Sequence, residues 1–199
     1  MIRAHRSSLV PLLFSMLTLA GAACTSSPSP PTPPTPELSP TPPAGWSHLS
    51  LNGGDLSFDH PSVWRPQDYV RSSSFADLVV YLSNLQLRSP CRDQSCGWPI
   101  SRLLPGGVLV SWWAESFPGW NIAKARGAAM TVGGLPAKML VQRPGECHAI
   151  GSDVSITVDI ARPAEPNYYQ LLACIKGPGV STAVARVKRI LATTHIKGL

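Results

Sequence analysis

"SDVSITVDIAR" (Ser152–Arg162) decides the fold. Val154, Ile156, Val158 and Ile160 alternate strictly with Ser155, Thr157 and Asp159. A period of two puts the four branched residues on one face of a β-strand and the polar residues on the other. That pattern fits a sheet covered on one side. "PAEPN" (163–167) then turns the chain into "YYQLLACIKG" (168–177), the expected antiparallel partner strand.

Beyond Gly177-Pro178-Gly179 the period changes. Val180, Val184, Val187 and Leu191 recur at helical spacing, with Ala183 and Ile190 beside them and Ser181 or Thr182 near the start. This is an amphipathic helix whose apolar stripe should pack on the sheet. Upstream, "WSHLSL-NGGD-LSFDHP" (46–61) reads as a hairpin turning on Asn52-Gly53-Gly54. "ADLVVYLSN" (76–84) and "GGVLVSWWA" (106–114) read as strands, and "AAMTV-GGLP-AKMLVQR" (128–143) as a second hairpin around Gly133-Gly134. Strands come first and a closing helix last. The expected class is α+β, an antiparallel sheet of about six to eight strands with a C-terminal helix packed on it.

The cysteines place this domain in an oxidising compartment. There are five in the chain. Cys91, Cys96, Cys147 and Cys174 lie in the globular region and can form two bridges, for which three connectivities exist. The spacing favours a local Cys91–Cys96 bridge around "RDQS" and a Cys147–Cys174 bridge bracketing the 154–175 hairpin. A zinc site using Cys147 and the adjoining His148 is the rival. The spacing is not C-x₂-C, so no metal is expected.

Cys24 is left over, and the residues before it explain why. Arg3, His5 and Arg6 precede a mostly apolar run from Leu9 to Ala20, followed by small residues. That is the order of a secretory signal peptide (1–23), and the run is shorter than the roughly 20 residues of a membrane span. "GAAC" (21–24) resembles the bacterial lipobox, departing from it at Gly21, where an aliphatic residue is usual. The resemblance implies cleavage before Cys24 and lipidation of its sulfur, with diacylglyceryl and N-acyl (palmitate-type) chains anchoring the protein to the outer face of the cytoplasmic membrane. Ala20-Gly21-Ala22 also suits signal peptidase I, which would release a secreted protein with a free thiol.

The residues that follow, 24–44, form a tether. From Pro28 to Pro43, nine of 16 residues are proline. Proline lacks an amide proton, so the run cannot join a helix or sheet. Extended polyproline II at about 3.1 Å per residue gives it a reach of roughly 50 Å. The single globular domain is then 45–199, roughly 155 residues.

The formal charge is +6, and loss of Arg3 and Arg6 with the leader leaves 15 basic against 11 acidic residues. Most basic residues are scattered. Only Arg186, Lys188 and Arg189 cluster, on the predicted helix, where a solvated face is the simpler reading than a nucleic-acid surface. No nucleic-acid partner is expected.

Chemistry is sparse. The chain lacks G-x-S-x-G, the G-x-x-x-x-G-K-[ST] phosphate loop, G-x-G-x-x-G and H-E-x-x-H. No catalytic residue and no cofactor is expected. Asp59-His60 is the nearest approach to an acid–base pair, but neighbours on a strand face opposite sides. Glu146, His148 and Asp153 fall around one loop. The aromatic residues say more. Trp112 and Trp113 are adjacent in a predicted strand, so one enters the core and the other faces the far side. Trp120 follows in "FPGW". Trp112, Trp113 and Trp120 are the candidate ligand contacts, as a stacking platform for a sugar ring, a peptide or a partner protein. Trp98 in "CGWP" should pack beside the disulfide loop.

"LSFDHPSVW" (56–64), "VGGLPAK" (132–138) and "ACIKGP…VARVKRILATT" (173–194) together resemble the PsbP-like α+β fold. "LSN…PC…CGWP…LPGGVLVSW…FPGW" resembles small actinobacterial cell-surface lipoproteins. The resemblance spans most of Trp46 to Ile196. It implies a non-catalytic accessory or binding module, held at the membrane, with an envelope protein or polysaccharide as partner. The alternative is an extracytoplasmic hydrolase acting on cell-envelope polymers, which would need polar side chains such as Asp59, His60, Glu146 or His148 to converge in one cleft.

Overall fold

The computed structural model describes residues 42–69, 72–92, 95–163 and 167–197. The signal segment, Cys24 and nearly all of the proline-rich tether lie outside them.

Among the described residues, twelve strands and one α-helix follow in chain order. They are β1 (Trp46–Leu51), β2 (Leu56–Pro61), β3 (Arg65–Gln67), β4 (Ala76–Ser83), β5 (Cys91–Arg92), β6 (Ser95–Cys96), β7 (Val108–Glu115), β8 (Ala128–Val132), β9 (Leu135–Gln142), β10 (Val154–Ala161), β11 (Tyr168–Ile175), α1 (Val180–Ala192) and β12 (His195–Ile196). Seven strands form one antiparallel sheet in the order β3-β4-β7-β11-β10-β9-β8. This is the expected α+β class, an antiparallel sheet with a C-terminal helix. It departs from a single sheet, because β1, β2 and β12 make a second one of three strands.

The opening stretch sits where its alternation requires. β10 pairs with β11 on one side and β9 on the other. Val154, Ile156, Val158 and Ile160 have no solvent exposure. They join Val110, Trp112, Leu171 and Ala173 in one core, capped by Ala183, Val187, Ile190 and Leu191 of α1 and by Leu56 and Phe58 of β2. Burying a side chain of this size contributes about 1.5–3 kcal/mol, so the four β10 residues together contribute about 6–12 kcal/mol. Trp112 goes inward and stacks on Phe58 at 5.3 Å between ring centroids.

Both predicted hairpins form. Leu51 pairs with Leu56 across the Asn52–Gly54 turn, and Val132 with Leu135 across Gly133-Gly134. Gly133 and Gly134 take φ of +56° and +81°, the left-handed region that a two-residue hairpin loop demands. α1 has as its N-cap Gly179, which has no side chain to cap the helix. It ends on threonine: Thr193 Oγ1 donates to the Arg189 and Ile190 carbonyls, and Thr194 Oγ1 to Ile190 O. The chain then returns to β2, with Ile196 opposite Leu56 and Lys197 N donating to Asp55 O at 2.9 Å.

The second face of the sheet is covered over part of its area, a correction to the one-sided reading of Ser155 and Thr157. These two are buried, as are Tyr81, Leu109, Leu172 and Cys174 on the same face. The physical reason is a second apolar cluster. Residues 85–103 bring Leu87, Trp98, Ile100 and Leu103 over this face, and the 3₁₀ turn Gly145–Ile150 brings Cys147 and Ile150. Cys147–Cys174 bridges that turn to β11, and Cys91–Cys96 closes the β5–β6 hairpin. The favoured pairing is the one formed, and it leaves Cys147 unavailable to zinc. Among the described residues no helix is long and apolar enough to cross a membrane.

Candidate functional site

The second face of the large sheet is only partly covered, and the remainder forms a cleft. Its floor follows from the register. On β7, Ser111, Trp113 and Glu115 point away from the main core, because Val110 and Trp112 point into it. On β11 the partners opposite them are Leu172, Gln170 and Tyr168. The walls are Tyr81 of β4, the Ser72–Ala76 turn and the Cys96–Trp98 segment, enclosing about 470 Å³.

The Cys96–Trp98 wall is built as a ladder. Arg88 N donates to Pro99 O, Gly97 N donates to Pro90 O, and Cys91 pairs with Cys96 across the disulfide. Trp98 is half-buried against the second core and borders a further cleft of about 630 Å³ on the other side of the same segment, with Arg88, Pro90, Ile100 and Arg102.

Polar groups on the floor hold one another in place. Trp113 Nε1 donates to Ser111 Oγ at 3.1 Å. Gln170 Nε2 donates to Asp159 Oδ1 at 3.0 Å. Tyr168 Oη donates to Glu115 Oε2 in a short hydrogen bond. Burial pushes the Glu115 carboxyl above its usual range. The Tyr168 hydrogen bond pulls the other way, and the negative charge of Asp159 adds to the rise. Burial likewise raises Asp159 against the stabilising hydrogen bond from Gln170. The Tyr168 phenol is pushed far up, by burial first and then by the bond to Glu115. Burial thus disfavours the charged form of both carboxyls of this face.

Beyond Glu115, aromatic residues cluster around Tyr168. Trp120 lies flat on Tyr168, with centroids 4.0 Å apart and planes 6° from parallel. Phe117 stacks on Phe75 at 5.2 Å, and both are exposed. Asn167 Nδ2 donates to Phe117 O, fastening the 116–120 loop to the start of β11.

The three candidate tryptophans thus separate. Trp113 is half-buried on the cleft floor, whereas Trp120 is half-buried against Tyr168 and does not line the cleft. Trp112 is fully enclosed in the core, so it offers no surface to a ligand. The candidate acid–base residues are dispersed. Asp59 pairs with His48 Nδ1 at 2.9 Å across β1–β2. His60 turns to the buried face, donates Nδ1 to Pro61 O, and has its pKa lowered by burial. Glu146 and His148 are exposed on the 145–150 turn, where His148 Nδ1 donates to Gly145 O. Asp153 is tied to Lys176 at 2.6 Å and to Gly177 N, which hold its carboxyl below the usual range. Among the described residues no group of three or more His, Cys, Asp or Glu could hold a metal.

Glu115, Tyr168, Gln170, Ser111 and Tyr81 were not singled out in the sequence. Their signal is positional. They meet Trp113 only once Gln170 is known to oppose Trp113 and Tyr168 to oppose Glu115. What they can do together is stack on a flat apolar surface and exchange hydrogen bonds. No family model matches this chain, and no curated protein matches it.

Proposed function

We propose that this protein is an extracytoplasmic lipoprotein, anchored through Cys24, whose PsbP-like domain is a non-catalytic accessory or binding module for an envelope protein or polysaccharide. The observation that carries the reading is the Trp113 cleft. A half-buried indole lies on a rigid sheet floor, with hydroxyl, amide and carboxyl groups around it, which is the composition of a binding site. Two disulfides support an oxidising compartment, because such bridges persist outside the reducing cytosol. One antiparallel sheet carrying a closing helix supports the PsbP-like likeness.

Two measurements test it. Radiolabelled palmitate should enter the wild-type protein and not Cys24→Ala, with the variant released to the medium. Two unlabelled, secreted proteins would reject the anchor. The full chain should capture a component of the solubilised cell envelope, and Trp113→Ala should lose it. Equal capture by both would reject the cleft.

The second reading, a hydrolase of cell-envelope polymers, is favoured by Glu115, a raised carboxyl in a cleft. Its carboxyl is already engaged by Tyr168. If Glu115→Gln abolishes a polymer-degrading activity present in the wild type, the hydrolase reading replaces the binding one.

A further inference from the structure

We propose that the Trp113 cleft takes a neutral saccharide, one or two sugar rings of a glycan, stacked on the indole of Trp113 and hydrogen-bonded to Gln170. This rests on the binding-module reading and names its ligand class.

Three observations carry it. The first is the pairing of an aromatic floor with planar and hydroxyl acceptors. A pyranose or furanose ring has an apolar C–H face and an equatorial belt of hydroxyls. It needs a flat π surface beneath and oxygen or amide partners at the edge. Trp113 supplies the surface, steadied by its bond to Ser111 Oγ at 3.1 Å. Gln170 stands opposite Trp113 on β11. Its Nε2 is held by Asp159, which fixes the amide plane and leaves Oε1 as an acceptor for a sugar hydroxyl.

The second observation is charge. Among the described lining residues there is no lysine, arginine or histidine, and the single acid is Glu115. An anionic ligand would meet that carboxyl and no described cation. A cationic ligand would find only Glu115, which is buried and has one oxygen engaged by the Tyr168 hydroxyl. A neutral, hydroxyl-rich ligand meets neither obstacle, and it loses least in leaving water for a site whose polar groups are fixed in advance.

The third is size and rigidity. About 470 Å³ falls within the range of small-ligand pockets, roughly 300–1,000 Å³. The floor is two central strands of the sheet, and the Cys96–Trp98 wall is clamped by a disulfide. A second tryptophan, Trp98, lines the same cleft, so a chain of two rings can be held between floor and wall.

The experiment uses the full chain in detergent, applied to a panel of immobilised neutral oligosaccharides (glucans, galactans, arabinans, mannans, chitooligosaccharides) and anionic ones (uronic-acid and phosphorylated glycans). At least one neutral class should bind. Trp113→Ala should weaken that binding tenfold or more, Trp113→Phe should restore part of it, and Gln170→Leu should weaken it about three- to tenfold. Trp46→Phe, outside the cleft, should leave it unchanged. Thermal unfolding of each variant checks that the fold is intact. Preference for anionic glycans overturns the neutral class. Neutral binding that survives Trp113→Ala in a folded protein overturns the site. If no saccharide binds while Trp113→Ala still abolishes capture of an envelope component, the saccharide proposal falls and the binding-module reading stands. If neither saccharide nor envelope component depends on Trp113, both fall.

Discussion

The Cys147–Cys174 bridge is expected to be the stronger of the two staples, by an amount that follows from where it sits. The perturbation is Cys147→Ala/Cys174→Ala, set against Cys91→Ala/Cys96→Ala. The bridged cysteines are 27 and five positions apart, which with both ends counted closes loops of 28 and six residues. In the chain-entropy account, opening them returns about 3.6 and about 2.2 kcal/mol of freedom to the unfolded chain at 25 °C. With about 2.1 cal/mol/K of unfolding entropy per residue over roughly 155 residues, these convert to falls in Tm of about 11 °C and about 7 °C. Packing should widen the gap. Cys147 and Cys174 are enclosed in the second core, whereas Cys96 is exposed. The assay is thermal unfolding by circular dichroism without reductant, at one scan rate, with refolding checked on cooling. The reasoning fails if the Cys91/Cys96 variant melts lower than the Cys147/Cys174 variant. It also fails if loss of Cys147–Cys174 costs under about 1 kcal/mol, since the cover over the sheet would then be held by packing alone.

Other outcomes follow from the same core and cleft. Trp112→Ala should cost about 3–5 kcal/mol in urea unfolding, because a fully buried indole stacked on Phe58 leaves a cavity; Trp113→Ala, half-buried, should cost distinctly less, and equal losses would contradict their assignment to opposite faces. Ile196→Ala should cost about 2–4 kcal/mol although it lies in a two-residue strand, since it is buried against β2; a neutral effect would show that β12 is ornamental. For pH, the folded-state pKa values of Glu115 and Asp159 are both raised. The folded protein therefore holds protons that the unfolded chain has released. Their contribution to stability is full below about pH 4, the unfolded carboxylate range, and is lost as pH rises through the folded values. Urea midpoints measured across that window should show a shallower decline for Glu115→Gln than for wild type, and identical slopes would remove Glu115 as a source.

Much of the frame was legible before any coordinates. Alternation over 154–160, the Asn-Gly-Gly and Gly-Gly turns and the stripe at 180, 183, 184, 187, 190 and 191 each report a local rule, and each element formed where its rule put it. The parts not legible depend on distant partners. β12 is two residues long and carries no period of its own; it exists because β2 offers an edge. Ser155 and Thr157 looked solvent-facing because small hydroxyls say nothing of what lies above them. Their cover comes from residues 85–103, which show no periodicity. Tryptophan was a sound guide to the cleft at Trp113, and only the alternation of β7 decided which of two adjacent indoles would reach it. Gln170, Glu115 and Tyr168 were invisible as a set, since their meeting is a property of strand register and not of spacing along the chain.

The return of β12 to β2 bears on the order in which the domain can be made. Hairpin β1–β2 is the earliest unit in the chain, yet Leu56 at its edge finds Ile196 only after the whole large sheet and α1 have passed. Contacts of such long separation in sequence close late and slow the final step of folding. A polypeptide emerging from its N-terminus can therefore zip its first hairpin at once but stays uncommitted until residue 196 is free. β2 and β12 act as a clasp, and until it fastens the first hairpin lacks its last edge strand.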